Sequence, residues 1–285
     1  MKTSNGKKFL ANPINNLTGG YNHPMKRIGL ALGAGGAKGI SHIAFLKALD
    51  ELGLRPAVIA GTSIGAVIGA FYAAGVSGAG LEQLLKTIGF KELYKIVLDF
   101  SILSNSAIFT GKRVEEFLAR RIPSQTFEEV EIPLKVVATD FWNRREVIFE
   151  SGSLITAIRA SMAMPAVFEP VLLNGKVLID GGAVNPLPYD LIRQECDLTI
   201  AIDVSGEKTY APEDPVPNML ESLLSTFQIM QASIVEAKKR LSPPDIYVKP
   251  ALTNIRVLDF YRYKEILAGV QEEVQGFKET LKNLI

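Results

Sequence analysis

Ala57-Val-Ile-Ala-Gly-Thr-Ser-Ile-Gly-Ala-Val-Ile-Gly-Ala70 reads as an apolar strand, a sharp turn carrying Ser63, and an apolar helix. Gly61-Thr-Ser-Ile-Gly65 fits the Gly-x-Ser-x-Gly elbow, in which two glycines let neighbouring backbone pass close to a strained serine that projects from the turn. Ser63 is therefore a nucleophile candidate. The stretch has a competing reading: residues 57–81 hold no charge, are long enough for a membrane span, and set Gly61, Gly65 and Gly69 in small-xxx-small spacing. Six glycines, an internal Thr62-Ser63 and a β-like start favour a buried strand, turn and helix.

Outward from the elbow, the pattern repeats upstream. Arg27-Ile-Gly-Leu-Ala-Leu32 runs into Gly33-Ala-Gly-Gly-Ala-Lys-Gly39, and Ile40, Ile43, Ala44, Leu46, Leu49 and Leu52 then recur with helical spacing. Two consecutive β-turn-α units predict a parallel sheet covered by helices. Downstream, strands are expected at Pro133–Thr139, Glu146–Glu150, Val177–Asp180, Leu198–Asp203 and Ile246–Val248. Helices are expected from Gly111 to Ile122 with Thr110 as its cap, from a Ser153 cap to Ala160, near Tyr189–Gln194, and over Met219–Leu241 with an apolar stripe including Leu220, Leu223, Leu224, Phe227, Met230 and Ile234. Tyr263 to Leu284 alternates by four and three, which suits a coiled-coil seam, but a helix laid along its own domain accounts better for so short a run. Phe90 to Phe109 is dense in large apolar residues, readable as core or as an apolar lid.

Composition narrows the function classes. Apolar residues make up 47% of 285, enough for a substantial core in one α/β domain over 25–285, after a flexible leader at 1–24. Thirty-one basic against thirty acidic residues leave a formal charge of +1, so no global field holds nucleic acid or an anionic membrane, although a local basic patch is not excluded. The single Cys196 excludes an intramolecular disulfide framework and a cysteine-based zinc site. With no secretory signal in the leader, the expectation is a cytoplasmic location, with peripheral membrane contact.

The glycine loop has rival readings. A dinucleotide fingerprint from Gly33 would need glycine where Lys38 stands, and no acid ends the second strand to hold a ribose. A Walker loop lacks its length and its Lys-Ser/Thr ending. What survives is a run of unobstructed backbone N–H groups at a helix start, suited to negative charge such as an oxyanion. The base that would activate Ser63 is not a downstream histidine: His42 is the last in the chain and is expected on a helix face or in support, and His23 lies in the leader. Asp180 closes a buried strand before Gly181-Gly182 and is the best candidate, against a plain-turn reading of the same residues; Asp140 and Asp203 also end strands but lack paired glycines. An aspartate is about 2.6 pKa units less basic than histidine, roughly 3.5 kcal/mol that the site must offset.

These residues resemble, in order and spacing, the patatin-like phospholipase family. Gly33–Gly39 resembles its oxyanion loop, Gly61–Gly65 its elbow and Asp180-Gly-Gly182 its aspartate motif. Val137-Ala-Thr-Asp140, Arg159-Ala-Ser-Met-Ala-Met-Pro165, Phe168-Glu-Pro170 and Asn185-Pro-Leu-Pro188 extend the similarity over about 26–210. Ala166 in place of a frequent glycine, and Trp142-Asn-Arg-Arg145 in place of a smaller turn, depart from it. The resemblance implies a three-layer α/β/α sandwich with a mainly parallel central sheet, and hydrolysis of lipid acyl esters without metal or cofactor. It implies Ser63 and Asp180 as a catalytic dyad, N–H groups of Gly35, Gly36 and Ala37 as the oxyanion hole, and Lys38 either near an anionic head group or bracing the loop. Acyl transfer to an acceptor other than water, and a non-catalytic regulatory or partner-binding module on the same fold, are the alternatives.

Overall fold

The computed structural model describes residues 26–97, 110–207, 209 and 216–284, with the side chains of 89–97 left out. The expected leader at 1–24, and residues 98–109 of the expected lid, lie outside the described residues. In chain order the elements are β1 (Ile28–Leu32), α1 (His42–Glu51), β2 (Val58–Thr62), α2 (Ile64–Ala73), α3 (Gly78–Val97), α4 (Lys112–Arg121), β3 (Leu134–Asp140), β4 (Arg145–Phe149), α5 (Leu154–Ser161), β5 (Val171–Leu173), β6 (Lys176–Asp180), β7 (Leu198–Ile202), α6 (Met219–Leu241), β8 (Ile246–Val248), α7 (Tyr263–Ala268) and α8 (Gln271–Leu284).

Strands β3-β2-β1-β7-β8 are parallel neighbours, while β4 and β6 run antiparallel to β3 and β5 antiparallel to β6. The central strands are buried on both faces, which is why they read as unbroken apolar runs. Their two faces differ in side-chain size. Leu30, Leu32, Ile59, Ile200 and Ile202 enter the larger core, under α1, α2 and α5. Ala31, Ala60 and Ala201 point the other way, where Leu187, Tyr189 and Val235 of α6 complete a smaller core. Helices on both faces of a mainly parallel sheet make this a three-layer α/β/α fold. The uncharged stretch at 57–81 is a strand and a helix buried in that core, and among the described residues no single helix is long and apolar enough to cross a membrane.

Three expectations need correction. Residues 189–195 form two 3-10 turns, Tyr189–Leu191 and Arg193–Glu195, instead of one helix. Gly111, in the left-handed region at φ 73°, occupies the N-cap position of α4, where Thr110 was expected. The last helical stretch breaks into α7 and α8 and lies along its own domain, with Val270, Val274, Phe277 and Leu281 buried and Phe277 edge-on to Phe45 of α1 at 5.5 Å. The apolar stripe of α6 is split: Leu220, Leu223 and Met230 are exposed, Leu224, Phe227 and Ile234 are half-buried, and Gln231 and Val235 are the helix's buried residues.

Candidate active site

The register on β3 brings the site together. Val136 and Val137 pair with Gly61 and Thr62 of β2 on one edge and with Phe149 and Ile148 of β4 on the other. Ala138 to Asp140 continue along β4 but take β6 as their second neighbour, with Asp180 opposite Ala138. Since β4 fills one edge throughout, β2 and β6 must share the other. They approach end to end from opposite directions, and their last residues, Thr62 and Asp180, face consecutive positions of β3. Ser63 and Asp180 meet there, although 117 positions separate them in sequence.

Ser63 is held at φ 55° and ψ −121°, a backbone conformation that costs a non-glycine residue of order 1–3 kcal/mol. Close packing maintains it. A Cβ on Gly65 would lie 2.1 Å from the Leu32 carbonyl oxygen, and one on Gly61 would lie 2.6 Å from the Gly65 carbonyl oxygen. No larger residue lets β1, β2 and the start of α2 come this near. The Ser63 N–H donates to Ser161 Oγ at 2.8 Å, so the end of α5 holds the elbow from a third side.

Asp180 is 1% exposed. Its Oδ1 accepts the Gly182 N–H at 2.7 Å, and its carboxylate lies beside the Ser63 side chain, close enough for that hydroxyl to lower its pKa. Burial pushes the carboxyl up to about 6, against the pull of those two groups. Gly181 lets the turn pass so tightly that a Cβ there would sit 2.2 Å from the Val137 carbonyl oxygen. The other two strand-ending aspartates are committed elsewhere. Asp140 accepts from the Asn143 backbone and side-chain amides, and Asp203 from Ser205 N–H and Tyr247 hydroxyl.

The glycine loop leaves β1 and turns against two carbonyls. A Cβ on Gly35 would lie 2.4 Å from Val204 O, and one on Gly36, at φ 58°, would lie 2.5 Å from Val257 O. Among the described residues the N–H groups of Gly35 and Gly36 have no hydrogen-bond partner, but the Ala37 N–H donates to Val257 O at 2.8 Å. Ala37 is thereby removed from the three expected oxyanion donors, because its proton already serves the loop's own folding. Lys38 is buried behind the loop and donates from Nζ to Ile255 O at 3.2 Å, the contact a brace requires; burial holds its amine down at about 8. His42 also braces the loop: Nε2 donates to Gly33 O at 2.9 Å, and burial holds the imidazole down at about 4, hence neutral. Gly39 presses on Ile64, closing the loop against the elbow.

Sequence reasoning missed three supports. Ser161 belonged to a quoted motif without a role, Val257 lies far downstream of the motifs, and Gln231 of α6 packs on Gly182 so closely that a Cβ there would meet its amide nitrogen at 1.9 Å. Only the Ser161 motif left any signal in sequence.

Known proteins are similar to this chain over the stretch that carries Ser63 and Asp180. The family profile described as Patatin-like phospholipase matches residues 30–192, more than half of the chain. An uncharacterized NTE family protein of Mycobacterium tuberculosis is 36% identical over 200 residues, 70% of this chain and 55% of that protein. Lysophospholipase NTE1 of Kluyveromyces lactis is 27% identical over 264 residues, 84% of this chain and 18% of that protein. The chain thus spans about half the length of the mycobacterial relative and about a fifth of the yeast one. Among solved structures, VipD from Legionella pneumophila aligns over 88% of this chain and 67% of that chain, with 17% identity and a TM-score of 0.49.

Proposed function

The chain belongs to the patatin-like phospholipase family, and from that premise we propose that it is a serine acyl hydrolase of phospholipids or lysophospholipids, with Ser63 as nucleophile and Asp180 as general base. The observation that carries the reading is the meeting of the strained Ser63 with the buried Asp180 carboxylate where the ends of β2 and β6 face consecutive residues of β3. In the first step Ser63 Oγ bonds to the ester carbonyl carbon as its proton passes to Asp180. The carbonyl oxygen takes negative charge, which the free N–H groups of Gly35 and Gly36 are suited to hold. Asp180 then returns the proton to the departing alkoxide, leaving an acyl-serine. In the second step water attacks that ester with Asp180 again as base, and the free fatty acid leaves with Ser63 restored.

The weakness of aspartate as a base is largely offset by its surroundings. Moving the carboxyl from 3.8 to about 6 supplies about 3 kcal/mol of the roughly 3.5 kcal/mol that separates it from a histidine. A fluorophosphonate probe tests the reading directly. Stoichiometric labelling of Ser63, lost in Ser63→Ala together with hydrolysis of lysophosphatidylcholine, is the expected result; labelling elsewhere, or full activity in Ser63→Ala, overturns it.

A further inference from the structure

The carboxyl edge of the sheet, which carries Ser63, also carries large apolar side chains that no other part of the protein covers among the described residues. Asp140 sits three residues beyond Val137, the partner of Thr62, so the β3–β4 turn stands about 10 Å past the elbow on the same side. This turn is stiff: Asp140 accepts from both Asn143 amides, and the Phe141 N–H donates to Val177 O of β6 at 2.9 Å. It nevertheless displays Trp142 at 74% exposure, with Phe141 edge-on to it at 4.9 Å, and Leu172 of the adjoining β5–β6 hairpin is 75% exposed. Around these lie Arg144, Arg145 and Lys176, all exposed. Among the described residues none of the three forms a salt bridge, and Asp140, the acid on which Lys176 acts, is buried and taken up by Asn143.

A second apolar ridge rises across the site. Helix α6 returns from the carboxyl end of β7 to the start of parallel β8, so its first turns lie at this same edge. Gln231 is level with Gly182, and Met219 is twelve residues nearer the N-terminus, an overhang of about 18 Å whose inner side lines a groove with Ser205, Gly206 and the loop at 254–259. No charge occurs from Ser222 to Val235, and Met219, Leu223 and Met230 are more than half exposed. In the strand order, Ser63 at the end of β2 lies between these two ridges.

We propose that this rim docks the protein on an anionic lipid bilayer, with Phe141 and Trp142 entering at head-group depth beside Arg144, Arg145 and Lys176, and the α6 overhang meeting the same surface. The choice of a bilayer as partner rests on the lipid-hydrolase reading, and on charge: unpaired basic groups interleaved with an aromatic pair match anionic head groups over acyl chains. Docked in this way, the elbow faces the leaflet from which a lipid ester must be drawn.

The test is cosedimentation of the full chain carrying Ser63→Ala, so that vesicles persist, with phosphatidylcholine vesicles and with vesicles containing about one third phosphatidylglycerol. The anionic vesicles should bind it and the neutral ones only weakly. Adding Arg144→Gln and Arg145→Gln should weaken anionic binding about thirtyfold, and Trp142→Ala should weaken binding to both kinds. In the Ser63-intact chain these variants should hydrolyse a soluble short-chain ester at the unaltered rate, which also shows that they fold. Equal binding to both vesicles, no binding, or arginine variants that bind as before would overturn the proposal, as would self-association through this rim without vesicle binding. Ester hydrolysis without vesicle binding refutes docking alone. Vesicle binding with no ester hydrolysis supports docking and refutes the hydrolase reading.

Discussion

Asp180 and Asp203 end two strands of one sheet with the same local device, and their surroundings turn it to different ends. Each is almost fully buried, and each accepts the backbone N–H two residues on, from Gly182 at 2.7 Å and from Ser205 at 2.9 Å. The remaining carboxylate capacity of Asp180 meets the Ser63 hydroxyl, whereas that of Asp203 meets the Tyr247 hydroxyl at 2.6 Å. The cause is strand direction. β7 lies beside β1 in parallel, Ile202 opposite Leu32, and its end faces the next parallel strand; β6 enters against the grain and its end abuts that of β2. A buried aspartate at a strand end is thus a structural part until topology sets a nucleophile in front of it.

The hardest test of this contrast is paired substitution. Asp180→Asn should lower kcat/KM for a lysophospholipid about 10,000-fold, by analogy with loss of a catalytic carboxylate elsewhere, while Asp203→Asn should stay within a few-fold of the parent. Comparable losses at both positions would erase the distinction. The turns themselves should differ next: Gly181→Ala drives a Cβ into Val137 O and should cost more than about 3 kcal/mol in urea unfolding, whereas the Asp203 turn already carries side chains at Val204 and Ser205.

Titration sharpens the comparison further. As the proposed general base Asp180 acts in its ionised form, so on that proposal kcat/KM should fall with unit slope below about pH 6. Its folded pKa lies above its unfolded one, so its contribution to stability is greatest below about 3.8 and is lost as pH rises through 6. Asp180→Asn should therefore raise stability at pH 8, by up to about 3 kcal/mol in denaturant titration. Asp203→Asn should instead lower it by about 1 kcal/mol, through a weaker hydrogen bond to Tyr247. The smallest effect is expected at Ser161→Ala, which leaves the Ser63 N–H without its acceptor and should reduce kcat about tenfold with little change in KM.

Much of the site is legible in the amino-acid sequence because its motifs obey local rules. A serine between two glycines at a strand-helix junction, a glycine-rich turn after the first strand, and an aspartate followed by two glycines each declare their own backbone geometry. The Ser153 cap of α5 does the same, accepting from Thr156 N–H. Sequence reasoning fails where distant partners intervene. Ala37 looks as free as Gly35 and Gly36 until Val257, 220 residues away, takes its N–H. The α6 stripe shows which residues share a side but not how much of it is covered: Leu224 packs on the main core while Leu223 and Met230 stay exposed.

By itself, then, the amino-acid order determined the parallel α/β class, the strained elbow at Ser63 and the absence of a downstream histidine to serve it, because helix, strand and turn preferences act over a few residues. Only the tertiary structure decided that Asp180 and not Asp203 lies beside Ser63, that Ala37 is spent, and that α6 leaves Leu223 and Met230 exposed while Leu224 packs on the main core. Those outcomes depend on strand register and direction across more than a hundred residues, and neither is written in any single segment.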